Sequence, residues 1–136
     1  MIFDQFEEFG NPLWHYHITG SALEEVLEKE MGSDDRLFAG VFSSGSAGTM
    51  GAGYYLKDNF KDVKVAAAEA LQRPTLLNNG FGGHRIEGIG DKHVPWIHDL
   101  KKTDMIIAVD DEVTMRLMRL FKEEWGRQSL GNQGVP

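Results

Sequence analysis

Apolar residues along this chain alternate between helical spacing and short unbroken runs, and the alternation predicts an order of elements. Leu23, Val26, Leu27 and Met31 recur three and four residues apart, which predicts a helix running to about Glu30. Ser21-Ala22-Leu23-Glu24 ahead of them has the form of a capping box with Ser21 as N-cap, and Gly32 is expected as the C-cap. Leu37 to Phe42 is a continuous apolar run, the pattern of a strand buried on both faces. Ala52, Tyr55, Leu56 and Phe60 then share one helical face, and Val63 to Ala68 forms the next strand. Met105 to Val109 is a third buried strand. After it, Asp110 or Asp111 caps a last helix that should turn Val113, Leu117, Leu120 and Phe121 inward, with Met115 and Met118 also in the core. Pro74 to Pro95 shows no period and is expected to be a loop, a length uncommon unless the loop serves a function. The opening segment is aromatic and irregular (Phe3, Phe6, Phe9, Trp14, Tyr16), with a turn expected at Gly10-Asn11-Pro12, and the tail from Gly126 is expected to be loose. The sum is an α/β chain with a small parallel sheet covered by helices, divided into a lead-in over residues 1–20, an α/β domain over 21–125 and a flexible tail over 126–136.

Composition narrows the function classes. The 136 residues carry 14 Lys and Arg against 21 Asp and Glu, a formal net charge of −7, which argues against nucleic acid as a partner because a duplex binder needs a basic stripe. No apolar run approaches the ~20 residues of a membrane span, and the first residues resemble no signal peptide, so a cytoplasmic chain is expected. With no cysteine there is no disulfide, thiolate nucleophile or zinc-thiolate site. Glycine is the informative residue. Of 16 in all, four fall within Gly45–Gly53 and five within Gly80–Gly90.

The first cluster stands where chemistry is expected. Ser43-Ser44-Gly45-Ser46-Ala47-Gly48-Thr49 joins a strand to a helix start, where unpaired N–H groups and the positive end of the helix dipole suit an anion such as phosphate. No Gly-Lys-Ser/Thr follows, so this is not a P-loop, and Gly48, Gly51 and Gly53 lack dinucleotide-fingerprint spacing. The residues alone leave two readings open, a phosphate seat and a tight strand-to-helix turn that binds nothing.

Several motifs, in order along the chain, resemble one family. Phe38-Ala39-Gly40-Val41 followed by Gly45-Ser46-Ala47-Gly48-Thr49 is similar to the strand and glycine turn of fold-type II pyridoxal-phosphate enzymes, the tryptophan-synthase-β-like superfamily that includes cysteine synthase and cystathionine β-synthase. Asn11-Pro12, His15-Tyr16 and Thr19-Gly20 resemble the stretch preceding it. Val63-Lys64-Val65 with Glu69 resembles the family's strand ending in Glu, and His84-Arg85-Ile86-Glu87-Gly88-Ile89-Gly90 with Val94-Pro95 resembles its glycine loop. Asp104-Met105-Ile106 and Asp110-Asp111-Glu112 resemble the strand and cap that come next. The likeness runs from about Asn11 to Glu124. It implies pyridoxal 5'-phosphate as cofactor, with weak or absent binding expected in the isolated chain, a phosphate seat at Gly45, Ser46, Ala47, Gly48 and Thr49, and a wall beside the cofactor ring at Gly88, Ile89 and Gly90. Ala47 departs from the family's usual glycine, and its methyl asks for a negative φ or a slight rearrangement.

The resemblance also implies what this sequence does not match. The family's Schiff-base lysine lies upstream of the matched motifs, and the eight lysines here have other contexts. The substrate-carboxylate motif and the late Ser/Thr that bonds the pyridine nitrogen are unmatched too. The expectation is therefore a fragment or truncated form of a lyase or transferase that performs β-replacement or elimination on a small amino acid, inactive in isolation. It would self-associate or pair with a missing N-terminal part, and the aromatic strip Phe3, Phe6, Phe9 and Trp14 is the expected sticky patch. The alternative is a non-catalytic phosphate-binding or interaction domain, or one partner of a split enzyme.

Other residues have plain structural expectations. Thr49 suits a helix cap as well as a phosphate, and the resemblance favours phosphate; Ser43 and Ser44 are expected to satisfy backbone groups. His15 and His17 would share a face if extended, but lack a third ligand, and His93 and His98 stand alone, so no metal site is expected. Arg85 reads as a solvated loop cation, and Glu69 as a carboxylate accepting from loop N–H groups. No residue is assigned a catalytic role.

Overall fold

The computed structural model describes residues 3–135. Three parallel strands form one sheet in the order β1-β2-β3: β1 over Ala39–Ser43, β2 over Lys64–Ala70 and β3 over Met105–Val109. Registers run from Ala39 opposite Lys64 to Ser43 opposite Ala68, and from Ala66 opposite Met105 to Ala70 opposite Val109. The α/β class and the small parallel sheet are as the pattern predicts.

Helix α3, Met50–Asn59, packs on one sheet face. Strand alternation puts Gly40, Phe42, Val65 and Ala67 toward it. Met50 and Val65 are fully buried there, joined by Ala47, Tyr54, Ala67 and Ile97. Glycine at Gly40 and Gly53 makes this closeness possible, since a Cβ at either would stand 2.6 Å from the Phe42 ring. Tyr54, rather than Tyr55, turns inward; its hydroxyl donates to the Asp99 carbonyl.

The first departure from expectation is at the beginning. Gly10–Trp14 is helix α1, His15–Gly20 is a π-helical turn, and Ser21–Glu30 is helix α2, one continuous helical stretch. Because the helix is already running at Gly20, Ser21 has no N-terminus to cap; its hydroxyl bonds back to the His17 and Ile18 carbonyls instead. His15 and His17 are consequently helical, and His15 pairs with Thr19. The α2 C-cap is Met31, and Gly32 donates its N–H to Asp35.

The second departure concerns burial. β1 is an edge strand with Val41 60% exposed, so it is not covered on both faces. Helix α5, Asp111–Lys122, is capped by Asp110, whose carboxylate accepts from the Glu112 N–H. Its apolar stripe is not inward: Val113, Leu117, Met118 and Phe121 are all about half exposed, and its main neighbour is helix α6, Glu124–Asn132. That last helix occupies the segment expected to be a loose tail. The long segment from Pro74 to Pro95 is irregular apart from the short helix α4, Thr75–Asn78. No helix of the described residues is long and apolar enough to cross a membrane.

Candidate functional site

In a parallel sheet the crevice beyond the carboxyl ends of the strands collects the loops that can touch a ligand. Here that edge carries the β1–α3 turn, residues 44–49. Ser44 is buried and fixes the turn from both sides of its peptide group. Its N–H donates to the Ala68 carbonyl at 2.9 Å, and its carbonyl accepts the Gly90 N–H at 2.9 Å. The turn is thus strapped to β2 on one side and to the distant glycine loop on the other.

The two glycine clusters meet. A Cβ on Gly45 would stand 3.1 Å from the Gly88 carbonyl oxygen and 3.3 Å from the Ile89 Cα, backbone atoms that cannot swing aside. Gly88 and Gly90 both take left-handed backbone, with φ 77° and 81°, which lets the loop double back against the turn. The structure therefore brings Gly45, at the head of the turn that continues through Ser46, Ala47, Gly48 and Thr49, against Gly88, Ile89 and Gly90.

Within the turn, the N–H groups of Gly45, Ser46, Ala47 and Thr49 donate to no protein acceptor among the described residues. Helix α3 begins at Met50 with no side-chain cap, because the Thr49 hydroxyl points back to the Ser43 carbonyl at 2.8 Å. Free amides at the positive end of a helix are a donor set that suits an anion. Ala47 corrects one expectation. It takes φ 68°, the left-handed region its methyl was expected to avoid, and is 1% exposed. For an L-residue this conformation costs on the order of 1–2 kcal/mol, so packing holds the turn in a glycine-like shape.

One residue of the turn's surroundings has no role assigned from the sequence. Asn11 donates from Nδ2 to the Ser46 hydroxyl at 3.0 Å and to the Gln5 carbonyl at 2.8 Å. Gly48 leaves the space that the Asn11 amide occupies, since a Cβ there would overlap it. The signal lies in Asn11-Pro12, an asparagine just inside a helix start, but nothing local says it will reach residue 46.

The long loop is held by its own anchors. Glu69 is buried at the end of β2 and accepts the Leu76 and Leu77 N–H groups, each at 2.9 Å, the structural duty expected of it. The Thr75 hydroxyl bonds the Gly80 and Asp91 carbonyls, and Arg73 Nε donates to the Gly82 carbonyl. Arg85 is no solvated cation: it donates from Nη2 to Asp111 at 2.8 Å and Glu112 at 2.7 Å, and its N–H meets Asp111 at 2.9 Å. The hydrogen bond from Arg85 holds the Asp111 carboxyl below the usual carboxylate range and that of Glu112 likewise, while Asp111, then Glu112, keeps the guanidinium charged. His84 sits beneath the wall with Nε2 3.0 Å from where a Gly90 Cβ would lie, its Nδ1 buried without a partner among the described residues.

A cavity of about 170 Å³ opens between Ser43, Ala68, Ile86, Ile89 and Thr114, beside the wall. Its lining is mostly apolar, so the polar recognition rests on the turn. A hollow at Met31, Leu37 and Phe60 lies away from the glycine turn, and another, at Phe3–Asn11, reaches the turn's neighbourhood through Asn11.

Comparison with known proteins gives consistent kinship. The chain is 30% identical over 141 aligned residues to cystathionine beta-synthase of Saccharomyces cerevisiae, a match covering 99% of this chain and 26% of that protein. It is 31% identical over 123 residues to a cysteine synthase of Staphylococcus aureus, covering 90% of this chain and 38% of the relative. Among solved structures, the hydrogen sulfide-producing enzyme of Fusobacterium nucleatum superposes with a TM-score of 0.71 at 32% identity, over 78% of this chain and 31% of that one. The chain thus spans between a quarter and two fifths of the length of the curated relatives it matches. No family model matches it.

Proposed function

From homology to cysteine synthases and cystathionine beta-synthases, enzymes of the fold-type II pyridoxal-phosphate family, we propose that this chain is the phosphate-seating part of such an enzyme. The observation that supports this most directly is the run of amides without protein acceptors at Gly45, Ser46, Ala47 and Thr49, at an uncapped helix start. That donor set fits the phosphate of pyridoxal 5'-phosphate, which needs several N–H groups and no countercharge on a long side chain. Gly48 admits Asn11, which steadies Ser46, so that the seat is set before the ligand arrives. Gly88, Ile89 and Gly90 would line one side of the cofactor ring, where the bare glycines would allow a flat approach and Ile89 would exclude water. When bound, the cofactor supplies an electron sink for the α-carbon of an amino acid. The activity to which the site belongs is β-replacement or elimination on a small amino acid.

In this reading the chain contributes no covalent lysine. Lys57 and Lys64 pair with Asp104, Lys102 with Asp58 and Lys29 with Glu25; the first three lie at the ends of α3, β2 and β3 opposite the turn. It works with a second chain, either a further copy or one carrying the complementary part of the enzyme, and is inactive alone. The test is equilibrium dialysis of pyridoxal 5'-phosphate against the purified chain, with inorganic phosphate as competitor, followed by borohydride treatment. Binding that phosphate displaces, with no adduct on a single lysine, is the expected result. An absence of phosphate competition overturns the seat, and a trapped adduct at one lysine overturns the non-covalent assignment.

A further inference from the structure

His98 has no part in the glycine turn, yet it is 8% exposed, in the segment between the glycine loop and β3. Its Nε2 stands 2.9 Å from the Thr103 hydroxyl, while Nδ1 is buried without a partner among the described residues. The tautomer follows from the hydroxyl. Thr103 gives its single proton to the Asp99 carbonyl at 3.1 Å, so the proton shared with Nε2 belongs to the ring and Nδ1 is a bare acceptor. A second proton would turn Nδ1 into a charged donor where no acceptor stands, and a buried charge without a partner costs more than a neutral ring.

The residues on either side tie the ring to the turn. Ile97 is 5% exposed and belongs to the same core cluster as Ala47, Met50 and Tyr54. Beyond the ring, the Asp99 N–H donates to the Tyr54 hydroxyl at 3.1 Å, and that hydroxyl donates to the Asp99 carbonyl at 3.2 Å. A shift of the segment that brings the ring to water pulls on both. Ala47 keeps its left-handed backbone through packing, and Ile97 is part of that packing. We propose that His98 is a positioning residue for the β1–α3 turn: neutral, it keeps Ile97 in the core beside Ala47, and protonated, it frees residues 95–103 and with them the turn.

The charges around the ring leave burial in command. Burial lowers the ring's proton affinity below the ordinary imidazole value, against the opposing pull of Asp99. On α3, Tyr54 holds its own proton more tightly than usual because it is buried, Lys57 is engaged with Asp104 and the Lys102 carbonyl, and Asp58 is engaged with Lys102. None of them gives Nδ1 an acceptor. A histidine depressed in the folded state contributes stability above its unfolded pKa, about 6.5, and loses it as the pH falls toward the folded value. The proposal rests on the reading above only in counting the turn as an anion seat; the release needs no ligand.

Amide hydrogen exchange on the full chain, corrected for the intrinsic pH dependence of exchange, reads that release. At about pH 5.5 an opening that lets His98 take a proton should be favoured about tenfold over about pH 7.5. Protection at Asp99, Met50 and Gly51 should fall by that factor relative to Ala67 of β2. His98→Gln keeps a donor for Thr103 and has no proton to gain, so its protection should be flat between the two conditions. His15, His17, His84 and His93 remain in that variant, so the pH dependence it loses belongs to His98. Equal pH dependence in the parent and His98→Gln overturns the proposal, and so does a release confined to residues 95–103 with Met50 and Gly51 unchanged. Where the variant fails to fold, the His98 ring resonances of the parent decide: a ring still neutral below the ordinary imidazole value in the folded chain supports the proposal, and one that takes its proton at that value with protection unchanged overturns it. Sulfate, doubly charged over this whole range, keeps the two readings apart. If it slows exchange at Gly51 at neither pH, the anion seat fails, and the exchange rates alone decide the role of His98.

Discussion

The two faces of the sheet show how differently similar apolar patterns can end. Toward α3, residues such as Met50, Val65 and Ala67 are sealed, with glycines cut in at Gly40 and Gly53 so that helix and strand nearly touch. Away from α3, side chains of the same apolar character, Val41 and Met105 on the sheet and Leu117 and Phe121 on α5, stand half in water. The sealed face contains what is needed to hold the β1–α3 turn in an otherwise costly shape. The open face contains apolar surface that does nothing for the isolated chain. The lesson is that the β1–α3 turn is braced by the sealed face, while the cavity beside it, lined by Ser43 and Ala68, opens on the face whose apolar side chains stay half exposed.

The contrast is broken most forcefully by truncating each face in turn. Met50→Ala removes a fully buried side chain and should cost about 2–5 kcal/mol of stability, measured by urea unfolding. Leu117→Ala, on the half-exposed stripe of α5, should cost less than about 1 kcal/mol by the same measurement. Equal losses would mean that the open face is already buried in the single chain. Next in size is Glu69→Ala, which leaves the Leu76 and Leu77 N–H groups without their acceptor. That should cost about 1–3 kcal/mol and speed hydrogen exchange at α4 more than at β1.

Ala47→Gly should move the other way. The alanine at φ 68° carries a local penalty that glycine does not, and the gain is expected near 0.5–1 kcal/mol after glycine's greater freedom in the unfolded chain is counted. A higher melting temperature together with retained phosphate affinity would show that packing alone imposes the turn's shape. A lower one would show that the methyl, 1% exposed in the core beside Met50, contributes more than its backbone costs.

These two faces were not equally open to reading from the sequence. The three strands and the helix after the turn follow from period and turn placement, which are local and strongly patterned, whereas the approach of Gly45 to Gly88 is visible only in the structure. The continuous helix through His15–Gly20 was hidden because Gly10-Asn11-Pro12 and Ser21 carry turn and cap chemistry that long-range packing overrides, notably Gly51 of α3 against the Pro12 carbonyl. The stripe of α5 was read correctly as apolar but wrongly as inward, since a period states that a helix has a partner and not which molecule supplies it. Asn11 to Ser46, and Arg85 to Asp111, join side chains far apart in sequence, and neither pair has a local signature.

The smallest effect lies on the boundary between the two faces, where Arg85 ties the site's loop to α5. Its hydrogen bond holds the Asp111 carboxyl below the usual carboxylate value. A carboxyl lowered in the folded state contributes stability above its unfolded pKa, near 3.9, and loses it as the pH falls through the folded value. Arg85→Ala should therefore separate from the parent chain in melting temperature at neutral pH, and the two curves should draw together below about pH 4. The separation should be small, since the Arg85 side chain is about half exposed and screened by solvent. A larger sign should appear in hydrogen exchange, with faster opening at Gly88 and Gly90 and little change at β2. If the loop stays protected and only α5 loosens, the tie holds the helix rather than the wall, and the site's rigidity comes from the Gly90-to-Ser44 hydrogen bond and the Thr75 and Arg73 anchors.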